Sequence, residues 1–267
     1  MNTGERTQLD EVVTAVQERV SYLRCSTTAP PEAGWVRCAD LIGDPRRLRS
    51  EIDSTAAGRG TDDPQVAASL YAQSYAFRVP SIAVAAFALG LPIPSTDPAV
   101  TSVRLGRHRP AEVAILDPSC RTLDTSAFAD ELLDGHLAPF VAAVRATTRI
   151  GERLLWGNVA ASLATIFRSI DRGPLGDAAV RGRAAAFEAA TSTRLGGLGE
   201  YSTVVAPEAV GWYWTRTNCC LWYQTASGFY CDDCSLRDPA ELSAKRLADL
   251  SANTGHDGND GNDGNGS

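Results

Sequence analysis

No apolar stretch of this 267-residue chain is long enough to cross a bilayer. The most apolar run, Ile82 to Leu91, is half the length such a span needs, which is about 20 residues. Histidine is scarce, with three copies at His108, His136 and His256, none at ligand spacing from another. No HExxH metal helix and no Gly-x-Ser-x-Gly nucleophile turn is present, and no G-x-G-x-x-G or P-loop. The run Gly196-Gly197-Leu198-Gly199 lacks dinucleotide-binding spacing. These absences exclude the common zinc-hydrolase, serine-hydrolase and nucleotide-binding chemistries. Lysine is missing but for Lys245; the other basic residues are arginine, a bias of composition to which we attach no role.

What is present is an ordinary globular composition, 44% apolar and 21% charged, enough for one large domain or two small ones. The net charge of −7 argues against nucleic acid as a partner. Seven cysteines is an odd number for a disulfide scaffold, and the polar start MNTGERTQLDEVV has no apolar core of a signal peptide. A cytoplasmic location, where thiols stay reduced, is expected.

The cysteines are concentrated. Cys219 and Cys220 are adjacent, ten residues follow, and Cys231 and Cys234 form a C-x-x-C pair. Seven of the nineteen aromatic residues fall in the same segment: Trp212, Tyr213, Trp214, Trp222, Tyr223, Phe229 and Tyr230. Thiolates select soft metals. Structural zinc takes its cysteines as two separated knuckles, and an adjacent pair fits that poorly. A [2Fe–2S] cluster spreads four thiolates over two irons and suits the spacing better. Zinc and a disulfide, including one between neighbours, stay open as alternatives.

The order Cys-Cys-x₁₀-Cys-x₂-Cys, with aromatics before the second pair and Gly228 in the spacer, resembles the C-terminal cluster-binding segment of FhuF-type ferric-siderophore reductases. Leu154-Leu155-Trp156-Gly157-Asn158-Val159-Ala160 is similar to a Trp-Gly-Asn helix start of that family, while Met1 to about Pro98 has no such match. The resemblance implies a reductase of ferric siderophores, of hydroxamate type, with Cys219, Cys220, Cys231 and Cys234 holding a [2Fe–2S] cluster. It also implies a helical body that pockets the chelate, and allows peripheral docking at a siderophore transporter. With no nucleotide motif of its own, the chain would take electrons from a ferredoxin or a flavin-dependent reductase. The competing readings are a zinc-stabilised binding protein without catalysis, and an electron carrier without a siderophore site.

Apolar spacing predicts an opening helix through Leu9, Val12, Val13, Val16, Val20 and Leu23. Asp44-Pro45 and Asp63-Pro64 read as N-caps with proline in the first turn. A buried helix from Ser81 to Leu89 follows, then a strand pair at Thr101–Arg107 and Ala111–Leu116. Helices are expected at Ser126–Leu133, Leu137–Thr148, Glu152–Ile170 and Asp177–Ala190, and Gly196 to Gly199 as a hinge. Gly211–Arg216 and Leu221–Thr225 read as short strands, and Asp238-Pro239 caps a last helix to about Leu250. The fold class is α+β, helix-dominated, with a small antiparallel sheet and a C-terminal cysteine module. Its parts are a body at 1–200, the module at 201–250, and a disordered acidic tail at 251–267.

Around the cysteines, Trp222, Tyr223, Phe229 and Tyr230 are expected to shield a bound centre with one edge left open. Arg145, Arg149 and Arg153 lie at i, i+4 and i+8, a candidate basic stripe leading to Trp156 and Asn158; a solvated helix face is the blander account. Glycine inside a helix, as at Gly157, costs about 1 kcal/mol against alanine and calls for a close neighbour. Cys25, Cys38 and Cys120 read as small buried hydrophobes, and the three histidines carry no role.

Overall fold

The computed structural model describes residues 3–28, 34–106, 108–171 and 176–253. The opening helix, α1 (Thr3–Arg19), buries Leu9, Val12, Val13 and Val16 on one side, and Val20 and Leu23 continue that buried face past its end. Short α2 (Cys38–Gly43) leads to α3 (Pro45–Arg59) and α4 (Pro64–Arg78). Asp44 accepts from the amides of Arg46 and Arg47, and Asp63 from Gln65, so each proline helix starts on a capped first turn. The apolar α5 (Ser81–Leu89) is buried nearly all round and ends on Gly90 in the left-handed region.

A four-stranded sheet covers one side in the order β1, β5, β4, β2, with β1 Cys25–Ser26, β2 Trp35–Arg37, β4 Thr101–Leu105 and β5 Pro110–Ile115. The β4–β5 pairing is the expected hairpin. The edge strands β1 and β2 were not foreseen, since two or three residues give no alternation to read. A separate short pair joins β3 (Ile93–Pro94) to β6 (Cys120–Arg121).

The remaining helices are α6 (Thr125–Leu132), α7 (Ala138–Thr148), α8 (Glu152–Ile170), α9 (Ala178–Ala190) and short α10 (Ser192–Leu195). A wide helical turn at Leu133–Leu137 joins α6 to α7 and buries His136, whose Nδ1 faces Thr96 O and whose Nε2 meets Tyr75 Oη at 2.8 Å. Helix α8 runs through the centre, with thirteen of its residues buried, and packs on α4, α5 and the hairpin that follows. That hairpin, β7 (Gly199–Ala206) with β8 (Ala209–Arg216), pairs in unbroken register from Gly199↔Arg216 to Ala206↔Ala209. Helix α11 (Pro239–Asn253), capped by Asp238, lies across it.

The architecture is helix-rich with small sheets, as expected, but in place of one antiparallel sheet there are three among the described residues, and the four-stranded one is mixed because β1 runs parallel to β5. Two local expectations fail. Residues 199–206 form a strand that the polar, exposed run YSTVV concealed. Leu221–Thr225 is no strand, because Leu221 sits at φ +69° and turns the chain into a short 3₁₀ turn, Trp222–Gln224. Among the described residues no helix is long and apolar enough to cross a membrane. The tail beyond Asn253, with His256, lies outside the described residues.

Candidate metal centre

Strand β8 ends at Arg216, whose backbone amide donates to Asp233 O at 3.1 Å. The last rung of the hairpin therefore fastens the second cysteine pair to the approach of the first. Thr217 donates its amide to Leu198 O at 3.0 Å and its hydroxyl to Gly197 O at 2.8 Å. Asn218 then presses on the middle of α8. A Cβ on Gly157 would stand 1.9 Å from Asn218 Oδ1, so only glycine leaves room for this contact. The helix glycine that the sequence left unexplained is thus the seat of the residue before Cys219.

The four sulfurs come together in two crossed pairs. Cys220 Sγ lies 3.2 Å from Cys231 Sγ, and Cys234 is the neighbouring thiol of the second pair that acts on Cys219. Each adjacent thiol is matched to one thiol of the C-x-x-C pair, and none is in a disulfide. Backbone amides point at the sulfurs: Leu221 N–H to Cys219 Sγ at 3.3 Å, Leu236 N–H to Cys234 Sγ at 3.4 Å, and Trp222 N–H to Cys220. Leu221 reaches this position in a left-handed conformation, which costs a bulky residue about 1–3 kcal/mol. Strain of that size persists only where the surroundings enforce it. The return turn depends on Gly228, where a Cβ would meet Trp222 O at 2.1 Å.

Beneath the sulfurs lies a buried polar chain. Ser69 of α4 donates to Cys220 O at 2.7 Å and accepts from Asn158 Nδ2 at 2.8 Å. Asn158 Oδ1 accepts from Arg216 at 3.2 Å, and Arg216 Nε donates to Asp233 Oδ2 at 2.8 Å. Asn158 is fully buried and the Arg216 side chain nearly so. A charge in such a place is held by its carboxylate partner and its hydrogen bonds. From the other side Arg246 of α11, also buried, donates to Trp214 O at 2.7 Å and to Thr215 Oγ1 at 2.9 Å.

This setting divides the thiols. The hydrogen bond from Cys231, the Arg216 charge and the Trp222 amide pull Cys220 down to about 6, against the opposing effect of burial. Cys231, the donor of that bond, is raised by it and by burial. Burial, with the neighbouring sulfurs, lifts Cys219 to about 11. Burial also pushes the remote thiols up, Cys25 and Cys38 to about 12 and Cys120 to about 11; of the three expected to be buried, Cys38 is, while Cys25 and Cys120 are only half-buried.

Four sulfurs in two pairs, met by amide donors and one buried cation, form a donor set that fits a sulfur-ligated centre. Among the described residues no three His, Cys, Asp or Glu side chains converge as ligands on one ion.

The aromatic wall resolves into two groups. Trp212 and Trp214 belong to β8, where Trp212 stacks on Tyr201 at 3.8 Å and Trp214 is buried toward α8; Tyr213 faces Arg168. Around the cysteines, Trp222 lies under the Arg59 guanidinium at 4.3 Å. Tyr223, Phe229 and Tyr230 are exposed, Phe229 at 65%, so they form a rim and not a shield.

The candidate substrate residues separate. Arg145 pairs with Glu152 at 2.6 Å, Arg149 ends α7 at φ +59°, and Arg153 donates from α8 to Gly197 O. The helix break at residues 149–151 removes the common face that the i, i+4, i+8 spacing suggested. Trp156 and Asn158 are buried, Trp156 under Arg194 and Asn158 in the polar chain, so neither offers a surface to a ligand. Sequence reasoning missed Ser69, Arg216, Asn218 and Asp233. Asn218 and Arg216, just ahead of the first cysteine pair, and Asp233, inside the C-x-x-C pair, carried a signal by position; Ser69 carried none. An apolar cavity of about 100 Å³ between α8, α9 and the hairpin, lined in part by Leu163, Phe187 and Tyr201, is smaller than ordinary ligand sites of about 300–1,000 Å³. An open groove of about 540 Å³ is lined by residues of α1, β1, β5 and the turn after α1, none from the cysteine segment.

Residues 83–201, from α5 into β7, match the family model described as ferric iron reductase FhuF-like transporter. The chain carries an FhuF-like region. It contains the whole of α8 with Trp156-Gly157-Asn158, spans less than half of the chain, and stops before Cys219. No curated protein matches the chain.

Proposed function

We propose that the protein reduces ferric iron held in siderophore chelates by one electron, through a [2Fe–2S] centre ligated by Cys219, Cys220, Cys231 and Cys234. The crossed pairing of the four sulfurs, seated by Asn218 on the central helix of the FhuF-like region, carries this reading. Two pairs would suit two irons with two thiolates each, whereas one zinc ion would require all four sulfurs to close on a point. Held by these four thiols, such a centre would supply one-electron chemistry, with a reduced ferredoxin or flavin-dependent reductase as the electron source and the chelate's Fe(III), reduced to Fe(II), as the acceptor.

The chain's own residues prepare this. Amides of Leu221, Trp222 and Leu236 donate to sulfur and so stabilise negative charge there. Arg216 brings a compensating cation under Cys220 without exposing it to water. The rim of Tyr223, Phe229 and Tyr230 leaves the segment near solvent, where a donor protein and a chelate can approach. We assign residues 1–200 as the body, 201–250 as the cysteine module, and the cytoplasm as the compartment, where the thiols stay available and Fe(II) is released. Contact with a siderophore transporter would be peripheral.

Anaerobic purification tests the centre. Two irons and two sulfides per chain, visible absorption and an EPR signal on reduction are expected. Reduced protein mixed with a ferric siderophore should then release Fe(II) to a ferrous trap. Colourless protein containing zinc would sink the reading.

A further inference from the structure

We infer that the site accepts ferric chelates of net negative charge, seated on Arg59, which lies beside Trp222, and on the neighbouring charges of Arg78 and Arg109. This rests on the proposed reductase reading for its iron, and on the arginines for its charge. Arg59 ends α3 with its guanidinium 4.3 Å above the Trp222 ring, and its carbonyl accepts from the Ala226 amide at 3.2 Å. The cysteine loop is therefore packed directly on this arginine. Arg109 is exposed on the turn between β4 and β5, which is tied to α3 where His108 Nδ1 donates to Ser54 O and Thr55 donates to His108 O, both at 2.9 Å. Arg78 is half-buried at the end of α4, with Ser74 Oγ at 3.3 Å and the Phe77 ring at 5.9 Å as its contacts.

None of the three meets a carboxylate or a backbone carbonyl among the described residues. Many other arginines are satisfied, Arg145, Arg194 and Arg216 by carboxylates, Arg153, Arg168 and Arg183 by carbonyls; Arg24, Arg46, Arg47 and Arg149 show no such bonded partner among the described residues, but all four are exposed, unlike Arg59 and Arg78. The chain is net acidic, so carboxylates are not scarce. Burial pushes Arg78 down to about 10, helped by the charges of Arg109 and Arg59, and Arg59 is lowered by burial and then by Arg109. Three like charges in one another's field, two of them part-desolvated and none with a carboxylate partner among the described residues, are unfavourable until an anion arrives. A solvated arginine patch is the blander account. It leaves unexplained why Arg78 is half-buried without an acceptor stronger than a hydroxyl.

The charge of a ferric chelate follows from its donors. Three hydroxamates cancel the three positive charges of Fe(III), which leaves nothing for arginine to recognise. Catecholates and hydroxycarboxylates bring more negative charge than the ion, with oxygens that guanidinium forks bind well. The hydroxamate expectation rests on family resemblance alone, and the arginines point to the other class.

Redox-inert gallium separates binding from reduction. Calorimetric titration of the purified protein with Ga(III) tris-catecholate, Ga(III) citrate and neutral Ga(III) tris-hydroxamate should show at least one anionic chelate binding about tenfold or more tighter than the neutral one. That preference should fall as salt rises. Arg109→Ser, an exposed change, and Arg78→Gln should each weaken the anionic chelate by about tenfold and leave the neutral one unmoved. Equal or tighter binding of the hydroxamate, or variants that lose nothing while keeping the native melting temperature, would overturn the inference. Anionic chelates that bind through the arginines but are never reduced would uphold the site and remove the reductase reading. Reduction of a neutral chelate, indifferent to both substitutions, would do the opposite.

Discussion

The FhuF-like region and the cysteine segment that follows it are held together by different means. In the first region α5, α6, α8 and α9 turn their apolar side chains inward, and Phe87, Phe128, Phe167 and Phe187 pack against one another. From Thr217 to Asp238 there is one 3₁₀ turn, a strained leucine, and a set of hydrogen bonds to sulfur, carbonyl and guanidinium groups. The first region gains stability from burial, which tolerates exchange of one apolar side chain for another. The second depends on named polar partners and on two glycines, and its outer rings face water. A rigid body carrying an irregular, specified loop is the usual division between support and chemistry.

Breaking the loop should spare the body. Cys220→Ser or Cys234→Ser should abolish retained iron while the helical circular dichroism persists; Cys25→Ser should keep the iron. Loss of helix in the first two variants would show that the metal folds the whole chain. Next in size, Arg216→Met leaves the part-buried Asp233 and the buried Asn158 without their cation, at a cost of about 3 kcal/mol in denaturant unfolding. Gly157→Ala drives a methyl group into Asn218 and should cost about 1–3 kcal/mol, with metal loss preceding unfolding of the body. Asn218→Gly in the same chain should restore most of it, which a purely helical effect of the alanine would not allow.

The smallest effect sharpens the comparison from the body's side. Burial lowers the pKa of His136, which sits neutral between Tyr75 and Thr96. The unfolded chain takes up a proton near pH 6.5, and the folded protein resists it to lower pH. The stabilisation is therefore complete above about pH 6.5 and declines as pH falls, by at most about 1.4 kcal/mol per pH unit. Melting temperature against pH should show this slope in the wild type and lose it in His136→Asn.

Much of the body could be read from the sequence because its signals are local. Asp44-Pro45 and Asp63-Pro64 cap helices by bonds within one turn, and the spacing of Leu155, Val159, Leu163 and Ile166 marks a buried face wherever α8 lies. The candidate site was legible in its ligands and illegible in its support. Leu221–Thr225 looked like a strand from its bulky side chains, yet the amide needed at Cys219 bends Leu221 into the left-handed region. Ser69, Asn158, Arg216 and Asp233 are scattered over the chain, and no pattern in sequence joins residues that meet through hydrogen bonds alone.

By itself the order of amino acids settled the helix-rich class, the capped helix starts and the four thiols at a spacing that few metals accept. Tertiary structure alone decided which sulfur faces which, why α8 keeps a glycine at its centre, and which arginines meet no carboxylate or carbonyl among the described residues. The reason is one of range. Periodicity and capping act over a turn or two of backbone, while sulfur pairing and unneutralised charge arise between segments that only the packed core brings into contact.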